Sequence, residues 1–278
     1  MSQKIKQRWL HLINNLPPLR REKPSLSDNY TEALIGNTDY FLADISKCID
    51  PYGNSYSNGW QYFTSIVNNL EKFPKEKIVT DFVKYIELIA HDTAYDGFRL
   101  NFKSSERLKE FPPACLPFLV PWSPSDIAQI KNRVNDILRG ERLSSRVGSS
   151  DLNPLQEPRR LAENHFLRLY HLRNSIRGKG YNWLNHTHDP VQAFVLTRSQ
   201  DHRILIFSGQ HRIAVLSGLD YKSVPVRFVN KYIVNESGVN VWPLVRQGLW
   251  SSDDALIYFH HLFDFDSRAW AEQCGLLV

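Results

Sequence analysis

The sequence predicts an α/β fold, of the α+β kind, on three observations. Its second half alternates runs rich in branched residues with stretches of helical periodicity. A glycine, Gly209, stands directly between one such run, Arg203–Phe207, and a short helical stretch, His211–Ser217. Finally, 278 residues at 42% hydrophobic content suit one large or two modest cores in a globular chain. Two units are expected.

Taken in order, residues 1–140 read as a mainly helical, aromatic-rich region. Turns are expected at Asp50–Asn54 and Ser57–Gly59, with helices over Trp60–Asn69 and Ile78–Ala90, where Phe82, Ile86 and Ile89 share a face. The five prolines between Phe111 and Pro124 rule out a regular helix and a central strand, so this segment is expected as an ordered connector packed on the core. A charged helix near Asp126–Arg139 leads to the small, polar stretch Gly140–Asp151, the expected domain boundary. Beyond it, a helix over Ala162–Ile176 is striped by Phe166, Leu169, Leu172 and Ile176 and ended by Gly178 or Gly180. Strands follow at Gln192–Thr197 and Arg203–Phe207 as a hairpin, then the helix closed by Gly218, then a strand at Val224–Val229. Residues 233–278 are expected as a helical tail packed on the core, with a helix start at Ser251–Asp254 and with Trp242, Trp250 and Phe263 inside.

Charge points to an anionic partner, though mildly: 34 basic against 29 acidic residues give +5. Three scattered cysteines, Cys48, Cys115 and Cys274, build neither a disulfide framework nor a Cys-x-x-Cys metal site. No stretch approaches the roughly 20 apolar residues of a membrane span, and a cytoplasmic protein is expected. His186-Thr187-His188-Asp189 reads as a polar turn before Pro190 rather than a metal cluster, and no metal-ligating set is assigned.

The chemistry concentrates at Ser208-Gly209-Gln210-His211-Arg212. A glycine between a buried strand and a helix lets backbone N–H groups approach a ligand, and the helix N-terminus favours an anion by roughly 0.3–1 kcal/mol. Arg212 in the first turn has the fork geometry for phosphate, and the His211 imidazole can donate to it or shuttle a proton. The same pattern also arises where the glycine merely closes a β–α turn and the arginine pairs with an acid.

Residues 208–219, followed by Val224-Pro225-Val226, resemble the second signature box of the ParB/sulfiredoxin superfamily. Asn153-Pro154-Leu155-Gln156-Glu157-Pro158-Arg159-Arg160 is similar to the first box of ParB proteins, with Glu157 inserted, and Leu172–Gly180 resembles the helix end between the boxes. The resemblance covers about residues 150–232 and implies a mixed sheet with helices and a nucleotide-binding domain. It assigns phosphate-facing roles to Arg159, Arg160, Ser208, Gly209, Gln210, His211 and Arg212, with ATP, ADP or CTP and Mg2+ as cofactors. Between Gln156 and Gly180 the charges agree, with Arg159, Arg160, Arg168, Arg173, Arg177 and Lys179 against Glu157 and Glu163.

Departures from the family narrow the function. Gln210 stands where sulfiredoxin has its cysteine, which argues against reductase chemistry, and no helix-turn-helix reader is evident after Val229. What remains resembles the free-serine kinase branch. The expected activity is therefore a nucleotide-dependent phosphotransferase, a kinase acting on a small hydroxyl metabolite or on a sugar or glycan precursor of surface-polysaccharide biosynthesis. Glu157, with Glu163 as the other candidate, is the expected base, and His211 is the second catalytic candidate. The alternative is a nucleotide-gated, ParB-like binding protein associated with DNA; nucleic acid is the second class of partner.

Overall fold

The computed structural model describes residues 24–132 and 158–278. Its strands are β1 (Leu26–Ser27), β2 (Tyr40–Asp44), β3 (Cys48–Ile49), β4 (Gln192–Arg198), β5 (Asp201–Ser208) and β6 (Ser223–Asn235). They form one sheet in the order β1-β2-β6-β4-β5-β3. The sheet is mixed: β2 runs antiparallel to β6 and β4 to β5, whereas β1–β2, β6–β4 and β5–β3 are parallel pairs. An α/β fold of mixed sheet and helices is thus observed.

Period-two alternation gives the sheet two apolar faces. Ala193, Val195, Ile204 and Ile206 point to one core, and Phe194, Leu196 and Leu205 to the other. On β6, Val224, Val226 and Phe228 face the first core but Val234 the second, because the register against β4 shifts between Ala193 and Val195.

The first face is covered by α1 (Tyr30–Ile35), α2 (Tyr62–Asn69), α3 (Lys75–Ile89), α5 (Pro158–Lys179) and α6 (Gln210–Gly218), whereas α4 (Ala94–Gly97) packs on the second core through Ala94. The second face is filled by the proline segment, a 3-10 helix over Pro113–Phe118 that buries Leu116, Leu119, Val120 and Trp122, and by α7 (Pro243–Arg246) and α8 (Ser252–Asp264). Trp242, Trp250 and Phe263 are buried there. A last helix, α9 (Ser267–Gln273), returns to the first core through Ala271.

Caps explain where the helices begin and end. Gln61 accepts from the N–H groups of Phe63 and Thr64 at 2.9 and 3.0 Å, so α2 starts at Tyr62 rather than Trp60. Gly180, at φ 74°, ends α5, its N–H donating to the Ile176 carbonyl at 2.8 Å; Gly178 stays inside the helix.

The division of the chain is where structure and sequence reading part. The residues before 140, besides their helices, supply β1 and β2 at one edge of the sheet and β3 at the other. The sheet also continues to Asn235, past the expected limit at 232. The expected boundary stretch, 140–151, lies outside the described residues. Among the described residues, no helix is long and apolar enough to cross a membrane.

One carboxylate is fully buried. Asp50 accepts from Tyr52 N at 2.9 Å and from Asn54 N and Nδ2 at 3.0 Å, yet burial still pushes its carboxyl up to about 6. An acid whose folded pKa is raised stabilises below its unfolded value, here 3.8, and that stability is lost as pH rises through about 6. Asp50→Asn keeps a neutral side chain of the same shape. We expect it to raise unfolding free energy at pH 7 by about 1–3 kcal/mol, and to leave it unchanged at pH 4, in chemical denaturation.

Candidate functional site

The β5–α6 turn is built on one backbone conformation. Gly209 sits at φ 85°, ψ 21°, in the left-handed region open mainly to glycine. A Cβ there would lie 2.9 Å from Val191 Cγ2 and 3.0 Å from Val191 Cα, so the position is closed to side chains as well. No side chain caps α6; the Arg212 N–H donates to the Gly209 carbonyl at 2.9 Å, and the N–H groups of Gln210 and His211 are left for a ligand or water.

Those groups open onto a cleft of about 320 Å³ lined by Ser208, Gly209, Gln210, His211, Arg212, Asp189, His186, Arg168 and Leu172. All five sequence-predicted turn residues therefore meet at one place. Their side chains are engaged in different ways.

Arg212, at 8% exposure, is buried. Its Nη1 donates to the main-chain carbonyl of Asp189 and its Nη2 to the Asp189 carboxylate at 3.1 Å. The pairing of this arginine with an acid is thus observed. Gln210 accepts at Oε1 from the Tyr62 hydroxyl at 3.1 Å, which ties the start of α6 to α2.

His211 turns its ring into the helical layer. Its Nε2 is 2.9 Å from His165 Nδ1, and the ring stacks on Phe63 with centroids 4.1 Å apart. Burial holds the His165 imidazolium down to about 4, aided by Arg168. Burial, then His165 and the two nearby arginines, holds His211 well below its ordinary value. Both rings are neutral at neutral pH, so the pull on an anion at this turn comes from N–H dipoles and arginine.

Arg168 is the cleft's open cation. It projects from α5, is exposed, and has no hydrogen bond or ion pair among the described residues. Burial lowers the His186 imidazole, with Arg212 and His188 adding to the effect, so the cleft's positive charge is arginine's.

The first-box residues lie elsewhere. Arg159 holds Glu76 of α3 through Nη2 at 2.7 and 2.8 Å and Glu163 through Nε at 3.4 Å. Neither Arg159 nor Arg160, its half-buried neighbour on α5, lines the cleft. The stretch counted as one basic cluster is dispersed by helical geometry, with Arg173 and Arg177 clasping Glu71 at 2.9 and 2.5 Å. Glu157, the expected base, lies outside the described residues, and Glu163 faces Arg159.

Family models, curated proteins and solved structures give no match to this chain. The site is therefore read from its own geometry.

Sequence reasoning counted Arg168 in a basic stretch and read His186–Asp189 as a polar turn, but it placed none of Arg168, His186 and Asp189 at the cleft and missed the partner of His211. One signal could have found Asp189: in the expected hairpin, Gln192 opposes Ser208, so the residues just before β4 must lie beside those just after β5. As for a metal, no group of three or more ligating side chains occurs among the described residues. Asp189 is the carboxylate on the described cleft wall. One carboxylate suits Mg2+ that arrives on phosphate oxygens and keeps most of its waters, rather than a metal caged by protein.

Proposed function

We propose that the cleft binds the phosphate groups of a nucleotide and that the protein is a nucleotide-dependent phosphotransferase for a small hydroxyl metabolite or sugar precursor. The observation that carries this reading is the uncapped first turn of α6, with Gly209 at φ 85°, opening onto a cleft that also holds the unpaired Arg168. Convergent N–H dipoles and a guanidinium with free donors form a phosphate-binding combination. The transfer step is supported by the sequence resemblance. In that step the acceptor oxygen bonds to the terminal phosphorus, the phosphoanhydride bond breaks, and the hydroxyl proton goes to a carboxylate, for which Glu157 is our proposal.

Thermal stability with ATP, ADP, CTP and GTP, each with Mg2+, tests the binding half. A ligand at a hundred times its dissociation constant adds about 2.7 kcal/mol to a protein that binds it only when folded. Arg168→Ala is the informative variant, because Arg212 is buried and its loss would disturb the fold around Asp189. The variant should fold as the parent does and bind the stabilising nucleotide about tenfold or more weakly, the loss of one charge-assisted hydrogen bond. Equal stabilisation of both proteins would remove Arg168 from the site. No stabilisation by any nucleotide would remove the nucleotide.

A further inference from the structure

Asp189 is oddly placed for a phosphate site. Arg212 Nη2 stands between its carboxylate, at 3.1 Å, and Gly209, whose Cβ position is 3.3 Å away. The carboxylate therefore sits beside the turn where a phosphate would dock, and it already neutralises the arginine there. Of the cleft's charged groups, Arg168 and Arg212 are offset in part by Asp189, leaving one net positive charge for a ligand carrying three or four negative ones. Like charges on adjacent groups repel, the less so the higher the salt, since Asp189 is exposed.

Asp189 also has spare capacity. Its side chain is 68% exposed, and Oδ1 has no partner among the described residues, whereas Oδ2 holds Arg212. An unpartnered carboxylate oxygen on an exposed residue that lines the cleft is where a hard divalent cation bridging protein and phosphate oxygens would sit.

We propose that Asp189 makes phosphate binding in this cleft conditional on a divalent cation: metal-loaded polyphosphate is accepted and metal-free polyphosphate is rejected. The inference rests on the cleft being a phosphate site. It goes further by naming the residue that selects the metal-bound form.

The test uses the full chain and two probes, inorganic tripolyphosphate and ATP, titrated calorimetrically with saturating Mg2+ and with chelator. Asp189→Asn keeps the main-chain carbonyl on Arg212 Nη1 and an amide oxygen for Nη2, and Asp189→Glu restores the charge. The parent should bind tripolyphosphate at least tenfold more tightly with Mg2+ than without. In Asp189→Asn the metal effect should shrink to less than threefold, with metal-free binding tighter than in the parent; Asp189→Glu should recover part of the metal effect.

An identical metal effect in parent and Asp189→Asn would overturn the proposal, since the metal would then act on the ligand alone. So would metal-independent binding to the parent, the result expected if the carboxylate swings aside and yields Arg212 to the phosphate. Metal-coupled binding of tripolyphosphate without binding of ATP or other nucleotides would uphold Asp189 and overturn the nucleotide reading. Binding of neither probe would overturn both.

Discussion

Gly209→Val is expected to destabilise the protein by about 3–5 kcal/mol, a large share of the 5–15 kcal/mol that holds a domain folded. Two costs add. A β-branched residue at φ 85° is strained by roughly 1–3 kcal/mol. Its Cβ would also press on Val191 Cα at 3.0 Å, a backbone atom that cannot rotate away, and overpacking of this kind costs about 1–3 kcal/mol. Gly180→Val separates the two, because Gly180 has φ 74° with nothing within 4 Å of its Cβ position. In urea denaturation it should lose only the strain, about half as much. Equal losses at the two positions would show that close packing of the turn against Val191, at the entry to β4, contributes nothing. A larger loss at Gly209 would show that the turn is held by that entry to β4, so that its N–H groups are positioned before any ligand arrives.

That dependence on β4 marks the limit of what the sequence makes legible. Strands β4 and β5 and the start of β6 are readable because branched residues cluster between turn residues, and α5 because its apolar stripe repeats over several turns. The turn itself is readable because Gly209 falls between the two patterns. β3, by contrast, is two residues long, and β2 reads Tyr-Phe-Leu-Ala, an unbroken apolar run that a helix could equally bury. Their place is fixed by pairing with β5 and β6, far away in the chain, and no local period carries that information. The same holds at the site. Arg212 and Asp189 are 23 positions apart and His165 and His211 are 46 apart, so each residue shows its chemistry in the sequence and only the fold shows its partner. Arg159 and Arg168 differ in the same way: both belong to a basic stretch, but only helical rotation decides that one meets Glu76 and the other the cleft.

The half-buried pair His165–His211 predicts acid sensitivity in a defined window. Both rings have folded pKa values below the ordinary 6.5, His165 near 4. Their contribution to stability is complete above pH 6.5 and is lost as pH falls toward about 4, because the unfolded chain takes up protons first. For His165 alone the loss amounts to about 3 kcal/mol at 1.36 kcal/mol per pKa unit. His186, His202 and His261, also held below 6.5 by burial, and Glu71, held below 4.5 by Arg173 and Arg177, withdraw stability in the same direction within this window. Asp201, Asp254 and Asp264 have lowered carboxyl values, so they withdraw stability only below their ordinary 3.8. Asp50 acts in the opposite sense between 3.8 and about 6, so the measurement belongs in the Asp50→Asn background. There, unfolding free energy should fall by about 3 kcal/mol or more between pH 7 and pH 4. Replacing both histidines by phenylalanine, which keeps the ring contacts with Phe63 and Phe82, should make the profile shallower by about 3 kcal/mol or more, leaving the part due to His186, His202 and His261. A profile that stays steep without the pair would place the acid-sensitive group elsewhere. A shallower one would show that the ring in the first turn of α6 is kept neutral at pH 7 by its surroundings.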